Sequence, residues 1–198
     1  MGYDRPTRWL HTGLALAIPM QLLTELFMHR PKLGHVRTGS EIFFFEVHEW
    51  VGLAACAIVV LHILWSALGT AKGGFARLFP YMVSEGRQAI IDEIREIPGW
   101  LSGKLHETAE ESAVAGTVHG LGLLLILGMA STGTMVFFGM NGVTGQLSDL
   151  AKLALRIHHL GGNLVWAYLI GHVGMVALHR IKGHDLLSRI SPLARNRT

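Results

Sequence analysis

The chain has 198 residues, half of them hydrophobic and only 16% charged, with a formal charge of +3. A mean hydropathy of +0.38 with so few charges excludes an ordinary soluble domain, which carries nearer a quarter charged residues. The single cysteine, Cys56, excludes a disulfide framework, a CxxCH attachment site and a cysteine-ligated iron–sulfur cluster.

Four long apolar runs follow in chain order: Thr7–Met28, Ile42–Gly69, Ala113–Met140 and Arg156–Ile181. Each reaches the ~20 residues a membrane helix needs. The expected fold is therefore all-α, one domain over residues 1–198, an integral membrane four-helix bundle. No cleavable signal peptide is read, since no small-residue cleavage pattern follows the first run. The connector "HRPKLGHVRTGS" joins the first two runs. "NGVTGQLSDLAKLAL" joins the last two and partly follows the membrane interface. The long middle connector, Thr70–Ser112, predicts an amphipathic surface helix broken at Pro98-Gly99.

Lys and Arg set the orientation. Arg5, Arg8, Lys72, Arg77, Arg87, Arg95, Lys104, Arg180, Lys182, Arg189, Arg195 and Arg197 fall on one side. Arg30, Lys32, Arg37, Lys152 and Arg156 fall on the other. Twelve against five places both termini and the 70–112 connector in the cytoplasm, with the second and fourth spans parallel.

Twelve histidines in so apolar a chain are the anomaly. "HEWVGLAACAIVVLH" runs from His48 to His62, and "HHLGGNLVWAYLIGH" from His158 to His172. Fourteen helical steps return to within about 40° of the same face and rise about 21 Å. Each of these spans thus carries two imidazoles on one stripe, one near each leaflet. His159, thirteen residues before His172, lies about 140° off that stripe. Gly52 and Gly162, each four residues after the first histidine, clear a side chain where a flat ligand would approach. Ionisable groups inside a membrane face a bundle interior and a partner. Two sites are implied: an outer one using His48 and His158, and an inner one using His172 with His11, His62 or His119. Zinc would want three or four ligands and a polar second shell. Bis-imidazole haem iron suits these apolar faces better.

The segments "YDRPTRWLHTGLALAI", "VHEWVGL" and "IHHLGGNLVWAYLIGHVGMVALHRIKGHDLLSRI" resemble the prokaryotic di-haem cytochrome b561-type family, which includes cytochrome b subunits of nickel–iron hydrogenases, formate dehydrogenases and thiosulfate reductases. The resemblance covers all four spans and is loose in the middle connector. Thr12 stands where the family's entry motif usually has tryptophan. The resemblance implies two haem b groups, with His48 and His158 as axial iron ligands of the outer one. His11 and His172 would hold the inner one, and His62 is the alternate to His11. It also implies electron transfer between quinone and a redox partner protein on the periplasmic side, in a membrane lipid setting without nucleic acid.

Arg5, Arg8 and Arg180 are candidates for haem propionate pairing, set against positive-inside anchoring, and His119 and His179 for propionate or quinone contacts, set against a buried structural role and simple exposure. Glu46, Glu49 and Glu25 are set between proton relay from a quinol and simple solvation. His29, His35, His106 and His184 are expected to be solvated, and Trp9, Trp50, Trp65 and Trp166 to pack or to line the interface. Two other functions compete. One is a stand-alone oxidoreductase, passing electrons for instance from superoxide to quinone. The other is a cofactor-free transporter, which would need more polar residues along the spans than are present.

Overall fold

The structure is a computed structural model that describes residues 3–68, 74–101 and 112–193. Lys72, Lys104, His106, Arg195 and Arg197 of the orientation and histidine readings lie outside the described residues. The described chain is helical, with no strand beyond one isolated bridge between Met140 and Leu147. Four long helices are present: α1 (Arg5–Glu25), α2 (Gly39–Ala67), α5 (Ala113–Gly139) and α6 (Asp149–Ile181). The short helix α3 (Gly74–Leu78), a 3-10 turn at Pro80–Met82 and the amphipathic α4 (Ser84–Leu101) lie between α2 and α5, and α7 (Leu186–Ile190) follows α6. Three of these, α2, α5 and α6, are long and apolar enough to cross a membrane. Helix α1 has 21 residues but also Arg8, His11, Gln21 and Glu25, which keep it out of that set.

The helix starts are written locally. Asp4 caps α1: its carboxylate accepts from the Thr7 N–H at 2.8 Å. Thr38 and Glu41 form a reciprocal capping box on α2, with Thr38 N–H donating to Glu41 at 2.8 Å and Glu41 N–H to Thr38 Oγ1 at 3.3 Å. Helix α6 begins seven residues earlier than the apolar run suggests. Ser148 Oγ accepts from Ala151 N–H there, and Lys152 pairs with Asp149 in the first turn at 2.8 Å. The polar connector is thus drawn into the helix by a cap, a signal that hydropathy does not carry. Helix α4 runs through Pro98 to Leu101 rather than breaking there. Proline forfeits its own bond to the carbonyl four residues back, and this late in the helix the loss falls in the last turn.

The start of α5 is held from a distance. Glu93 of α4 accepts from Ser112 Oγ at 2.6 Å, from Ala113 N–H at 2.6 Å and from Val114 N–H at 3.1 Å. A carboxylate is thereby set against the positive end of the helix dipole.

The chain divides into two compact units, and each long helix contributes to both. One comprises Met1–Thr12, Leu61–Leu124 and Tyr168–Thr198; the other comprises Gly13–Val60 and Leu125–Ala167. The second unit buries small apolar side chains, among them Leu14, Ala17, Ala55, Val59, Ala151, Ala154 and Val165. There Gly139 leaves room for Ala151, and Gly161 for the Met129 sulfur. Close backbone approach through small residues is how helices pack where lipid removes the hydrophobic drive. The first unit buries Phe79 and Leu123 together with more polar groups: Thr7, Arg8, His62, Ser66 and His179.

Candidate functional site

In the second unit, His48 of α2 and His158 of α6 face one another with ring centres 6.2 Å apart, edge to face. Their outward nitrogens are fixed. His158 Nδ1 lies 3.0 Å from the Met129 carbonyl and 3.1 Å from Thr132 Oγ1. A carbonyl only accepts, so Nδ1 carries the proton. His48 Nδ1 lies 3.0 Å from Thr24 Oγ1, whose own hydrogen is directed at the helix carbonyls of Met20 and Gln21 at 2.9 and 3.0 Å. The hydroxyl therefore accepts, and His48 Nδ1 is also the donor. Both rings are left with a bare Nε2 lone pair, the form that binds a metal.

The two glycines are lined from α1. A Cβ on Gly52 would meet the Gln21 amide at 3.4 Å, and one on Gly162 would meet the Glu25 carboxylate at 3.5 Å. Gln21 also donates to the His48 carbonyl at 2.7 Å. His159 is exposed, whereas His158 is half-buried.

In the first unit His172 is the hub. His11 lies 6.3 Å from it, His119 5.2 Å, and Tyr168 stacks on it at 5.6 Å with only 13° between planes. The Tyr168 hydroxyl occupies the space that a side chain on Gly122 would take. His62 is 6% exposed, and its Nδ1 has no hydrogen-bond partner. Arg8 is buried; its Nε donates to Tyr3 O at 2.7 Å and its Nη1 to Ser191 O at 3.3 Å. Arg5 is exposed.

A family model described as prokaryotic cytochrome b561 matches residues 2–192. The chain belongs to the prokaryotic cytochrome b561 family. It is a membrane cytochrome b of electron transport, and haem b is the family's cofactor. No curated protein and no solved structure matches the chain.

The donor sets of this cytochrome suit such a group. Two imidazoles bound end-on to one metal at about 2 Å, with about 1.1 Å from nitrogen to ring centre, have centres about 6.3 Å apart. The His48–His158 and His11–His172 pairs stand at 6.2 and 6.3 Å. His119 is about an ångström too close to His172 for that arrangement. Among the described residues no group of three or more His, Cys, Asp or Glu could hold a metal ion by itself. Two-ligand iron, with the other four bonds supplied by a macrocycle, needs no such group.

His29 and His35 are exposed, as expected of connector histidines, and both also approach one carboxylate. His29 Nδ1 lies 3.0 Å from Glu41 and His35 Nε2 3.9 Å from it, because both sit in the loop that the α2 capping box closes. His184 shares a hydrogen bond of 3.1 Å with His179, Nδ1 to Nδ1. The 180–185 turn, with Gly183 at φ +87°, folds one back on the other. Thr24, Thr132, Gln21 and Tyr168 went unread in the sequence. Thr24 precedes its histidine by 24 residues and Thr132 by 26, so no local spacing announces them.

Proposed function

We propose that this cytochrome carries two haem b groups and moves electrons between the membrane quinone pool and a redox partner protein on the periplasmic side. The observation that carries this reading is the pair of imidazole spacings, 6.2 Å for His48–His158 and 6.3 Å for His11–His172. His48 and His158 would hold the outer haem, and His11 and His172 the inner one. Bound haem supplies a reversible one-electron couple at its iron.

The chain's own residues do the rest. Met129, Thr132 and Thr24 hold the outer imidazoles in one tautomer and one orientation. Tyr168 restrains the plane of His172 by stacking, and Gly122 makes room for it. His62 is the alternate inner ligand; its buried, unpartnered Nδ1 suits a propionate contact as well. His119 and His179 are retained as propionate or quinone contacts. Arg8, already committed to backbone carbonyls, suits anchoring of the N-terminal turn better than propionate pairing.

We read α1 as a fourth span beside α2, α5 and α6, with both termini in the cytoplasm of a bacterial inner membrane. Its 21 residues reach about 31 Å at 1.5 Å each, matching a ~30 Å hydrocarbon core.

A pyridine haemochrome assay on purified protein tests the reading, with two haems per chain expected. His172→Ala and His11→Ala should each leave one haem, and His62→Ala should leave two. A loss of one haem in His62→Ala with His11→Ala unchanged would reassign the inner ligand. No b-type band at all would end the proposal.

A further inference from the structure

Helix α4 (Ser84–Leu101) is amphipathic, and its rotation about its own axis is fixed at two points. A side chain on Gly86 would fall on the Pro80 carbonyl, so the helix lies directly against the 3-10 turn there. One helical face on, Glu93 receives the hydrogen bonds from Ser112, Ala113 and Val114 at the start of α5. These two residues stand within about 20° of each other around the helix. What remains falls into two exposed faces of different chemistry. With Ile91 as the reference, Arg87, Ile94 and Pro98 stand within about 60° on one side of it and Arg95 within about 40° on the other. Asp92, Glu85 and Glu96 stand about 100–140° away. Ile91 and Ile94 are 45% and 51% exposed. Both arginines point to solvent. Arg95 pairs with Asp92 at 3.2 Å, an exposed contact of little strength, and Arg87 gives one donor to Tyr81 O at 3.2 Å. The level of the helix is set as well. Helices α2 and α5 are each long and apolar enough to cross a membrane, so the segment between them leaves and re-enters on one face. Glu93 ties α4 to the first residues of α5, where the chain enters hydrocarbon.

We propose that α4 docks on anionic phospholipid of the leaflet beside it, lying along the surface with Ile91 and Ile94 between the acyl chains. The proposal rests on α2 and α5 crossing the membrane and not on the haem assignments. Arg87 and Arg95 bracket the isoleucines, and each guanidinium reaches up to a lipid phosphate while its stem stays among apolar groups. The exposed Asp92 contact is readily exchanged for that phosphate. The three carboxylates turn to water, so the charges are sorted for a negative surface on one side and solvent on the other. A symmetric contact with a second copy fits less well, because it would set these arginines against their own kind.

The test is alkylation of the full-length protein in nanodiscs by an uncharged polyethylene-glycol maleimide, with Ile91→Cys and Glu96→Cys compared on a Cys56→Ala background. In phosphatidylglycerol discs Ile91→Cys should react at least about tenfold more slowly than Glu96→Cys, since two arginines near an anionic surface favour docking by about 30-fold. In phosphatidylcholine discs, or after Arg87→Gln with Arg95→Gln, the gap should shrink to under about threefold. Equal rates at both positions in phosphatidylglycerol would make α4 a solvated helix and overturn the proposal. A gap indifferent to lipid charge and to both arginines would overturn the anionic lipid as its partner, and one that persists in detergent and grows with protein concentration would assign the face to a second copy. Haem content is read on each sample to recognise a variant that fails to fold. In that case hydrogen exchange of the unsubstituted chain decides: α4 amides should exchange more slowly in phosphatidylglycerol than in phosphatidylcholine, and equal exchange would overturn the proposal.

Discussion

The sharpest quantitative test concerns Thr24 and Thr132, which hold His48 and His158 by the same kind of bond but not with the same redundancy. Thr24→Val removes the hydroxyl that accepts from His48 Nδ1 at 3.0 Å and leaves that ring only the Gln21 carbonyl, without a contact of the 3.0 Å kind that Met129 makes to His158. Thr132→Val removes a partner at 3.1 Å, but the Met129 carbonyl remains at 3.0 Å from His158 Nδ1. An orphaned buried donor costs about 1–3 kcal/mol, whereas losing one of two acceptors costs well under 1 kcal/mol. Thr24→Val should therefore weaken retention of the haem proposed there by about 10- to 100-fold, the range seen when such supporting partners are removed. Thr132→Val should weaken it less than about fivefold. The assay is transfer of haem from each variant to excess apo-myoglobin, followed at the Soret band. Equal effects of the two valines would refute the argument from redundancy, and a larger effect of Thr132→Val would reverse the tautomer assignment.

Other outcomes follow from the same geometry. Glu93→Ala strips three donors at the start of α5 of their acceptor, and thermal melting should show a loss of about 1–3 kcal/mol; an unchanged midpoint would mean that water replaces the carboxylate. His159→Ala should keep the full haem content, since the ring is exposed, whereas His158→Ala should not. Asp185 caps α7, and hydrogen bonds from the Ser188 side chain and N–H hold its carboxyl below the ordinary aspartate value of 3.8. A depressed folded-state value stabilises the cap above the usual aspartate range and loses that contribution as pH falls through the depressed value. A carboxyl-carbon NMR titration should place the Asp185 midpoint below 3.8, and a midpoint above it would contradict the cap.

Much of this was legible in the chain itself. Apolar runs locate α2 and α5 to within three residues at either end, because membrane helices are defined by composition over a long window. The fourteen-residue histidine spacing separates His158 from His159, since 100° per residue turns a one-residue offset into opposite faces. What hydropathy could not see was polar and local: the Ser148 cap that starts α6 early, and the persistence of α4 through Pro98. Nor could it see contacts between distant segments. Glu93 reaching α5, Thr24 reaching His48 and Tyr168 lying in the space left by Gly122 each join residues whose separation in sequence carries no period.

The partners of His48 and His158 have a further consequence. A hydroxyl oxygen and an amide carbonyl can receive a hydrogen bond but cannot keep a proton, unlike the carboxylate that elsewhere often backs a metal-bound imidazole. Neither ring is pushed toward imidazolate, so neither lends the extra negative charge that favours the oxidised metal. The centre proposed on these two residues would be biased toward the reduced state.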